Sequence, residues 1–161
     1  MNMTNEAGSP APLPPVRISR TFAATPAQVF AAWISTEQVR QWFCPACYSV
    51  PAARVEAHVG GAFEVCMRAP DGSEHWTRGT FLELDAGNRL VIALRVGDDP
   101  ADPLFTAHTV VDFTAVAGGT RIDIEQQYAV YHPAAAQMIG GAAVGWKQTL
   151  DRLQSLLVGA S

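Results

Sequence analysis

Residues 139–157 read IGGAAVGWKQTLDRLQSLL, and this stretch decides the fold. Apolar side chains recur in it at alternating spacings of four and three residues, at Ile139, Ala143, Trp146, Leu150, Leu153 and Leu157. That spacing predicts one long amphipathic helix with a continuous apolar seam. The first half of the helix is small, because it contains Gly140, Gly141 and Gly145. Each glycine costs about 1 kcal/mol of helix stability relative to alanine, so small size there indicates a packing or cavity purpose.

The chain in front of this helix alternates apolar and polar residues over most of its length, which is typical of β-strands. Short turn signals separate the alternating stretches at Gly60-Gly61, Asp71-Gly72 and Gly118-Gly119. We predict strands near residues 16–22, 51–58, 63–68, 74–84, 90–96, 105–116 and 120–131. Strands joined by such short turns form an antiparallel sheet, here of six to seven strands.

Two short helices are predicted after the first strand. Thr25-Pro26 supplies an N-cap and a proline at the first helical position of one helix. Ser35 or Thr36 can cap the second helix, which ends at Cys44-Pro45 because proline cannot continue a helix. The order of elements therefore predicts an α+β fold, in which a curved antiparallel sheet wraps around the long C-terminal helix.

The composition limits the class of protein. Of the 161 residues, 48% are hydrophobic and 16% are charged, below the roughly 25% that is ordinary for soluble domains. The net charge of -4 and the lack of a basic cluster argue against a nucleic-acid partner, and no apolar run is long enough to span a membrane. We expect a disordered, proline-rich tail over residues 1–15 and a single domain over residues 16–158. Without a signal-peptide pattern or a disulfide framework, the expected compartment is the cytoplasm.

An ordered set of short motifs along residues 16–158 resembles a known family. The motifs are Thr25-Pro26 through Trp33, Gln41-Trp42-Phe43, Gly60-Gly61-Ala62-Phe63, Asp71-Gly72, Arg78-Gly79-Thr80, Asn88-Arg89-Leu90, Gly119-Thr120, and Gly145-Trp146 before Leu150 and Leu153. In this order they resemble homologues of the activator of heat-shock-protein ATPase (AHSA-like proteins), within the START-like (SRPBCC) superfamily of helix-grip ligand-binding domains. The resemblance implies a deep cavity between the concave face of the sheet and the long helix. It implies no single activity, because superfamily relatives carry lipids, bind hormones or cyclise polyketides.

Aromatic and other side chains in inward register are the candidates for lining such a cavity. The alternative is a packed core with no cavity, which the same apolar pattern would also produce. The candidate lining residues are Trp33, Trp42, Phe43, Phe63, Val65, Met67, Trp76, Arg78, Thr80, Leu94, Thr109, Val111, Phe113, Ile124, Gln126, Tyr128, Met138, Ala142 and Trp146. Apolar walls with a few polar groups are typical of small-molecule sites.

The register around Gly79 leaves two alternatives open. Counting back from Leu82 and Leu84 places Arg78 on the inner face, where its charge would need a carboxylate or an anionic ligand group. A bulge at Gly79 would instead turn Arg78 outward and His75 or Thr77 inward. His75 and Glu74 are the weak candidates for acid–base catalysis, and only one of the two can face the cavity.

Cys44-Pro45-Ala46-Cys47 resembles a thiol–disulfide motif, but it follows a helix. A helix C-terminus raises a thiol pKa, so incidental loop cysteines are favoured over a redox or metal site. Zinc would need two further ligands, and Cys66 and the histidines form no second close pair. We therefore expect neither a metal nor a cofactor.

Three functional hypotheses follow. The first is a binding protein for a small hydrophobic molecule of aromatic, lipid or polyketide-like character, and hence not an enzyme. The second is a cyclase or dehydratase that uses the same cavity. The third is a co-chaperone-like interaction module, which is weakened because the chaperone activators carry a separate N-terminal domain where this sequence has a proline-rich stretch. Homodimerisation is compatible with all three.

Overall fold

The structure is a computed structural model, which describes residues 11–12, 14–97, 99 and 101–159. Its strands are β1 (Ala11–Pro12), β2 (Val16–Phe22), β3 (Ser49–Val55), β4 (Ala62–Arg68), β5 (Glu74–Asp85), β6 (Arg89–Val96), β7 (Phe105–Val116) and β8 (Gly119–Val130). Its helices are α1 (Pro26–Ile34), α2 (Thr36–Trp42), α3 (Ala135–Gly140) and α4 (Ala142–Gly159). The predicted α+β class and the two short helices after the first long strand are confirmed.

All strands form one antiparallel sheet in the order β1-β8-β7-β6-β5-β4-β3, and β2 also pairs with β8. β1 and β2 lie along the same edge of β8, opposite residues 129–130 and 120–126. The sheet therefore has the seven predicted strands and a two-residue addition. It curves around α4, which agrees with the predicted helix-grip arrangement.

The two short helices begin at the caps that the sequence indicates. The Thr25 hydroxyl accepts a hydrogen bond from the Gln28 backbone N–H, and the Gln28 side chain accepts one from the Thr25 backbone N–H. This capping box fixes the start of α1. Ser35 caps α2, whereas the Thr36 hydroxyl bonds to the backbone of Val55 and ties α2 to β3.

The C-terminal helix is interrupted, which the sequence pattern did not predict. α3 ends at Gly140 and α4 begins at Ala142, so the helical register changes at Gly141. Ala143, predicted in the apolar seam, is consequently exposed, while Ala142 turns towards the sheet. From Trp146 onward the predicted seam is confirmed at Leu150 and Leu153, which are fully buried. The reason for the difference is that two adjacent glycines stabilise a continuous helix poorly.

An ion pair fastens α4 to the edge of the sheet. Arg20 projects from β2 and donates to the Asp151 carboxylate at 2.7 Å and to the Lys147 carbonyl at 3.3 Å. The Arg20 side chain is 19% exposed and the Asp151 side chain is 53% exposed, so water still screens this pair from the side of the carboxylate. The hydrogen bond from Arg20 lowers the pKa of Asp151.

The register of β5 shifts at Leu82. Phe81 pairs with Ile92 and Glu83 with Val91, so Leu82 is the extra residue of a β-bulge. Phe81 is fully buried and Leu82 is 48% exposed. On the N-terminal side of the bulge, Gly79 continues the inner face, close to the backbone of β6.

Two further expectations concern the ends and the environment of the chain. Of the predicted tail over residues 1–15, Ala11–Pro12 pair with β8, and residues 1–10 and 13 lie outside the described residues. Among the described helices, none is long and apolar enough to cross a membrane.

Candidate ligand-binding cavity

A cavity of about 390 Å³ lies between the inner face of the sheet and the helices α3 and α4. Strands β4 to β8 form its floor, α3 and α4 form its roof, and the loop after α2 forms one wall. Its lining residues are Phe43, Pro45, Tyr48, Met67, His75, Thr77, Leu94, Val96, Phe105, Ala107, Gln126, Tyr128, Met138, Ile139, Gly141, Ala142, Gly145, Trp146 and Thr149. No aspartate, glutamate, lysine or arginine is among these described residues, so the wall is nearly free of formal charge.

The pairing of the strands divides the inner face into a filled half and a hollow half. A boundary row runs across Phe81, Ile92, Thr109 and Gln126. The rows on one side carry the fully buried core, and the rows on the other side line the cavity. Each of the strands β6, β7 and β8 therefore contributes side chains to the core at one end and to the cavity at the other. The core side chains of these strands are Leu90, Val111, Phe113, Ile122 and Ile124, and the cavity side chains are Leu94, Val96, Phe105, Ala107 and Tyr128. Within the boundary row, Ile92 and Thr109 are packed in the core and Gln126 lines the cavity.

A buried polar network lies on this boundary and joins β7 and β8 to α4. The Gln126 carbonyl oxygen accepts hydrogen bonds from Trp146 Nε1, at 2.8 Å, and from the Tyr128 hydroxyl. The Gln126 amide nitrogen donates to Thr109 Oγ1 at 2.8 Å, and that hydroxyl faces the Ala107 carbonyl at 3.4 Å. Burial raises the pKa of Tyr128 to about 12, so the phenol is protonated at neutral pH.

Other polar groups of the lining have unfilled hydrogen-bonding capacity. Thr149 on α4 is 6% exposed, and its hydroxyl has no hydrogen-bond partner among the described residues. Thr77 on β5 is half-buried in the floor, and His75 is exposed at the rim. The cavity therefore has an apolar interior with polar groups at a few positions, the usual composition of a small-molecule site.

An aromatic cluster closes the filled side of the cavity. Trp146 stacks against Trp33 with ring centroids 6.1 Å apart, and Phe43 contacts both rings edge to face. Trp42 packs edge to face on Trp33 at 4.8 Å and donates from its indole nitrogen to the Ala32 carbonyl. Such contacts contribute about 0.5–1.5 kcal/mol each beyond area burial, so this wall is rigid.

The predicted lining residues fall into three groups. Those at the cavity are Phe43, Met67, Leu94, Gln126, Tyr128, Met138, Ala142 and Trp146. Those that face inward but are packed in the core are Trp33, Trp42, Phe63, Val65, Thr109, Val111, Phe113 and Ile124. Those on the outer face of the sheet are Trp76, Arg78 and Thr80, and for these the predicted inward orientation is wrong.

The bulge at Leu82 is the physical cause of this error. One extra residue exchanges the two faces of the strand, so counting back from Leu82 and Leu84 gives the wrong face. The alternative with an inverted register is correct, although the bulge lies three residues after Gly79. Arg78 lies outside with its guanidinium carbon 4.7 Å from the Trp76 ring centroid. Of the two catalytic candidates, His75 is at the cavity rim and Glu74 is an outer-face residue that is bonded to Arg68 at 2.7 Å.

Several lining residues escaped the sequence reasoning. They are Pro45, Tyr48, Val96, Phe105, Ala107, Ile139 and Thr149. Gly141 and Gly145, whose small size indicated a packing or cavity purpose, and Thr77, the inward alternative around Gly79, also line the cavity. Val96, Phe105 and Ala107 share the alternation of Leu94 and Thr109. Extending the pattern by one step on β6 and by two steps on β7 would have found them. Thr149 follows Trp146 by three residues on the same helix face, which is a usable signal. Pro45 and Tyr48 lie in a loop, and no periodicity indicates where a loop packs.

Of the cysteine motif, Pro45 lines the cavity, and neither cysteine is among the described lining residues. Cys44 is buried and donates to the Tyr48 carbonyl at 3.4 Å, whereas Cys47 is exposed with a left-handed φ of 71°. Burial raises the pKa of the Cys44 thiol, against a smaller lowering by Arg152, which disfavours the reactive thiolate. Among the described residues, no cluster of three or more His, Cys, Asp or Glu side chains could hold a metal ion.

Comparisons with known proteins agree with this architecture. Residues 23–158 match the family model described as Activator of Hsp90 ATPase homolog 1-like protein. A comparison with curated proteins gave no match.

Solved structures of bacterial proteins share the fold. Protein CV1439 from Chromobacterium violaceum is 26% identical, with a TM-score of 0.76 over 88% of this chain and 95% of its own. Protein NE0264 from Nitrosomonas europaea is 24% identical, with a TM-score of 0.74 over 91% of this chain and 95% of its own. An AHSA1 protein from Silicibacter pomeroyi is 18% identical, with a TM-score of 0.77 over 92% of this chain and all of its own. The match over residues 23–158 places the chain in the family of Activator of Hsp90 ATPase homolog 1-like proteins.

Proposed function

We propose that the protein binds a small hydrophobic molecule, of aromatic, lipid or polyketide-like character, in the cavity between the sheet and the helices α3 and α4. The observation that carries the proposal is the cavity itself, about 390 Å³ with a wall of rings and methyl groups. Ligand pockets typically enclose about 300–1,000 Å³ and are mostly apolar. An apolar molecule that enters would exchange water for this wall at a gain of about 25 cal/mol per Å² of apolar surface.

The small residues of the roof support the proposal. Gly141, Ala142 and Gly145 line the cavity where larger side chains would fill it. A Cβ atom added at Gly145 would meet no atom within 4 Å, so the space beside this residue is open. Glycine inside a helix costs about 1 kcal/mol of helix stability relative to alanine. The open volume that it leaves for a ligand offsets this cost.

The volume also limits the size of the ligand. At about 30 Å³ per water molecule, 390 Å³ corresponds to about 13 water molecules. A bicyclic aromatic compound therefore fits without rearrangement. A long acyl chain would have to protrude past the exposed Met138 at the roof.

The experiment that tests the proposal compares two variants at one position. Gly145→Ala and Gly145→Leu both relieve the glycine penalty in α4, but only leucine adds about four heavy atoms of volume to the cavity. A panel of bicyclic and fatty ligands is screened against wild type and both variants by native mass spectrometry and thermal shift. We expect binding to wild type and to Gly145→Ala, and at least ten-fold weaker binding to Gly145→Leu. Equal binding to all three proteins, or binding to none, would refute the proposal.

The cyclase or dehydratase alternative has less support. Of its two candidate residues, His75 and Glu74, only His75 lines the cavity, and no carboxylate is among the described lining residues to act with it. The co-chaperone alternative rests on the name of the family and not on a described surface.

A further inference from the structure

The hydrogen bonds of Gln126 determine which donors and acceptors of the cavity wall are available to a ligand. An indole N–H can only donate, so the Gln126 atom that faces Trp146 Nε1 is the carbonyl oxygen. The same oxygen also contacts the Tyr128 hydroxyl, and an oxygen without hydrogen must be the acceptor there as well. Both lone pairs of this carbonyl are thereby filled.

The Tyr128 hydroxyl is left with one hydrogen-bonding role. Its only proton is donated to Gln126, and its oxygen keeps a lone pair beside the cavity. A bound molecule can therefore satisfy this oxygen only by donating a hydrogen bond to it. The Thr149 hydroxyl can donate or accept, so it does not discriminate between ligand groups.

The charges around the cavity exclude one class of ligand. Along the described lining there is no lysine or arginine, and Arg78 lies on the outer face over Trp76. A carboxylate or phosphate carried into this wall would lose its hydration without gaining a lysine or arginine partner, which is costly. His75, the only imidazole of the described lining, is exposed at the rim and not in the apolar interior.

We propose, building on the function proposed above, that the preferred ligand is an uncharged hydrophobic molecule with a hydroxyl group that donates a hydrogen bond to the Tyr128 oxygen. An ether or a ketone of the same shape lacks the donor, and a carboxylate lacks the cationic partner. The network thus discriminates between ligands that donate and ligands that accept a hydrogen bond, while the apolar wall limits the size of the ligand.

A matched series of bicyclic probes tests the proposal. The probes are naphthalene, 2-methoxynaphthalene, 2-naphthol and 2-naphthoate, with Kd measured by calorimetry as protein is titrated into ligand at pH 7.5. We expect 2-naphthol to bind about five-fold more tightly than naphthalene or its methoxy derivative, the effect of one ordinary hydrogen bond. We expect 2-naphthoate to bind at least ten-fold more weakly than naphthalene.

Two variants test whether the preference for 2-naphthol arises at the Tyr128 oxygen. Tyr128→Phe removes the acceptor oxygen, so the preference for 2-naphthol over naphthalene should disappear while the affinity for naphthalene is kept. Tyr131→Phe is the matched control, because Tyr131 is 42% exposed and outside the lining. It should keep the preference, and thermal midpoints confirm that both variants are folded.

The outcomes separate the two proposals. A preference for 2-naphthol that survives in Tyr128→Phe, or equal affinity for 2-naphthol and 2-methoxynaphthalene, overturns the hydroxyl assignment but leaves a hydrophobic site. Tightest binding of 2-naphthoate overturns the requirement for an uncharged ligand. Failure of all four probes, together with failure of the fatty ligands to distinguish Gly145→Leu, overturns the proposed function and this inference with it.

Discussion

Replacing Gln126 by leucine removes the amide that joins the sheet to α4. Gln126 is 5% exposed and makes three hydrogen bonds, to Trp146, Tyr128 and Thr109. Leucine has a similar length but neither accepts nor donates. The change therefore leaves an indole N–H and a phenol O–H without their acceptor at positions that are more than nine-tenths buried.

The expected cost follows from these bonds. Three hydrogen bonds at about 1 kcal/mol each give about 3 kcal/mol, and the desolvation penalty of the two orphaned donors adds about 0–2 kcal/mol in total. Water in the cavity keeps that penalty low, and the apolar leucine side chain offsets about 1 kcal/mol. We expect a net loss of about 2–4 kcal/mol in the free energy of unfolding, or roughly 5–12 °C in Tm for a chain of 161 residues.

Urea denaturation of matched variants measures this loss. Gln127→Leu is the control, because the neighbouring Gln127 is exposed on the other face of β8 and should change stability by about 0.5 kcal/mol at most. A double-mutant cycle of Gln126→Leu with Trp146→Phe should give a coupling of about 1–2 kcal/mol. If Gln126→Leu were as stable as Gln127→Leu, or if the cycle were additive, the network would not hold α4 as argued.

Three further results are expected from other parts of the structure. Burial raises the pKa of Tyr128 from 10.0 in the unfolded chain to about 12 in the folded protein. The contribution of the protonated phenol to the free energy of unfolding is therefore complete below pH 10 and is lost as the pH rises to 12. Urea denaturation of the wild type should show that the free energy of unfolding falls by about 3 kcal/mol between pH 10 and pH 12, and Tyr128→Phe should not show this loss. Equal losses in the two proteins would contradict the burial of the phenol. Gly79→Ala should cost about 1–3 kcal/mol in thermal unfolding, since its Cβ would lie 2.7 Å from a backbone oxygen of β6, and an unchanged Tm would count against that close approach. In a thiol titration of the native protein, the exposed Cys47 should react at once. Cys44 and Cys66 should react only on unfolding, because both are buried and burial is the main cause of their raised pKa values. Fast reaction of all three thiols would contradict this assignment.

The fold was predictable because its main signals are local. Thr25-Pro26 supplies its own cap, and Gly118 marks its turn without reference to distant residues. The seam of α4 from Trp146 onward repeats often enough for the helical period to be unambiguous. The inward orientation of Gln126 and Tyr128 also followed from alternation with Ile122 and Ile124, because β8 has no bulge.

The wrong predictions of side-chain orientation occur where the local apolar pattern is compatible with two strand registers. Phe81 and Leu82 are adjacent and both apolar, so alternation alone cannot decide which of them faces the core. The structure places the larger ring inside, against Phe63 at 5.8 Å, and this contact depends on a residue distant in sequence. The boundary between core and cavity was likewise not predictable, because it depends on how closely α4 approaches each row of the sheet.

The row that contains Thr109 and Gln126 separates the part of the inner face that is covered by packed side chains from the part that borders the cavity. Large, fully buried side chains such as Trp33 and Leu150 are packed on one side of it. On the other side, Leu94, Phe105 and Ala107 border the cavity and also belong to the hydrophobic core, so a substitution there would alter the shape of the space and remove packed contacts as well. Gln126 and Trp146 both join the sheet to α4 and line the cavity, so a new ligand specificity gained by substituting either of them would be accompanied by a loss of stability. Substitutions at Gly141 and Gly145, in contrast, can change the shape of the cavity without the loss of a packed side chain.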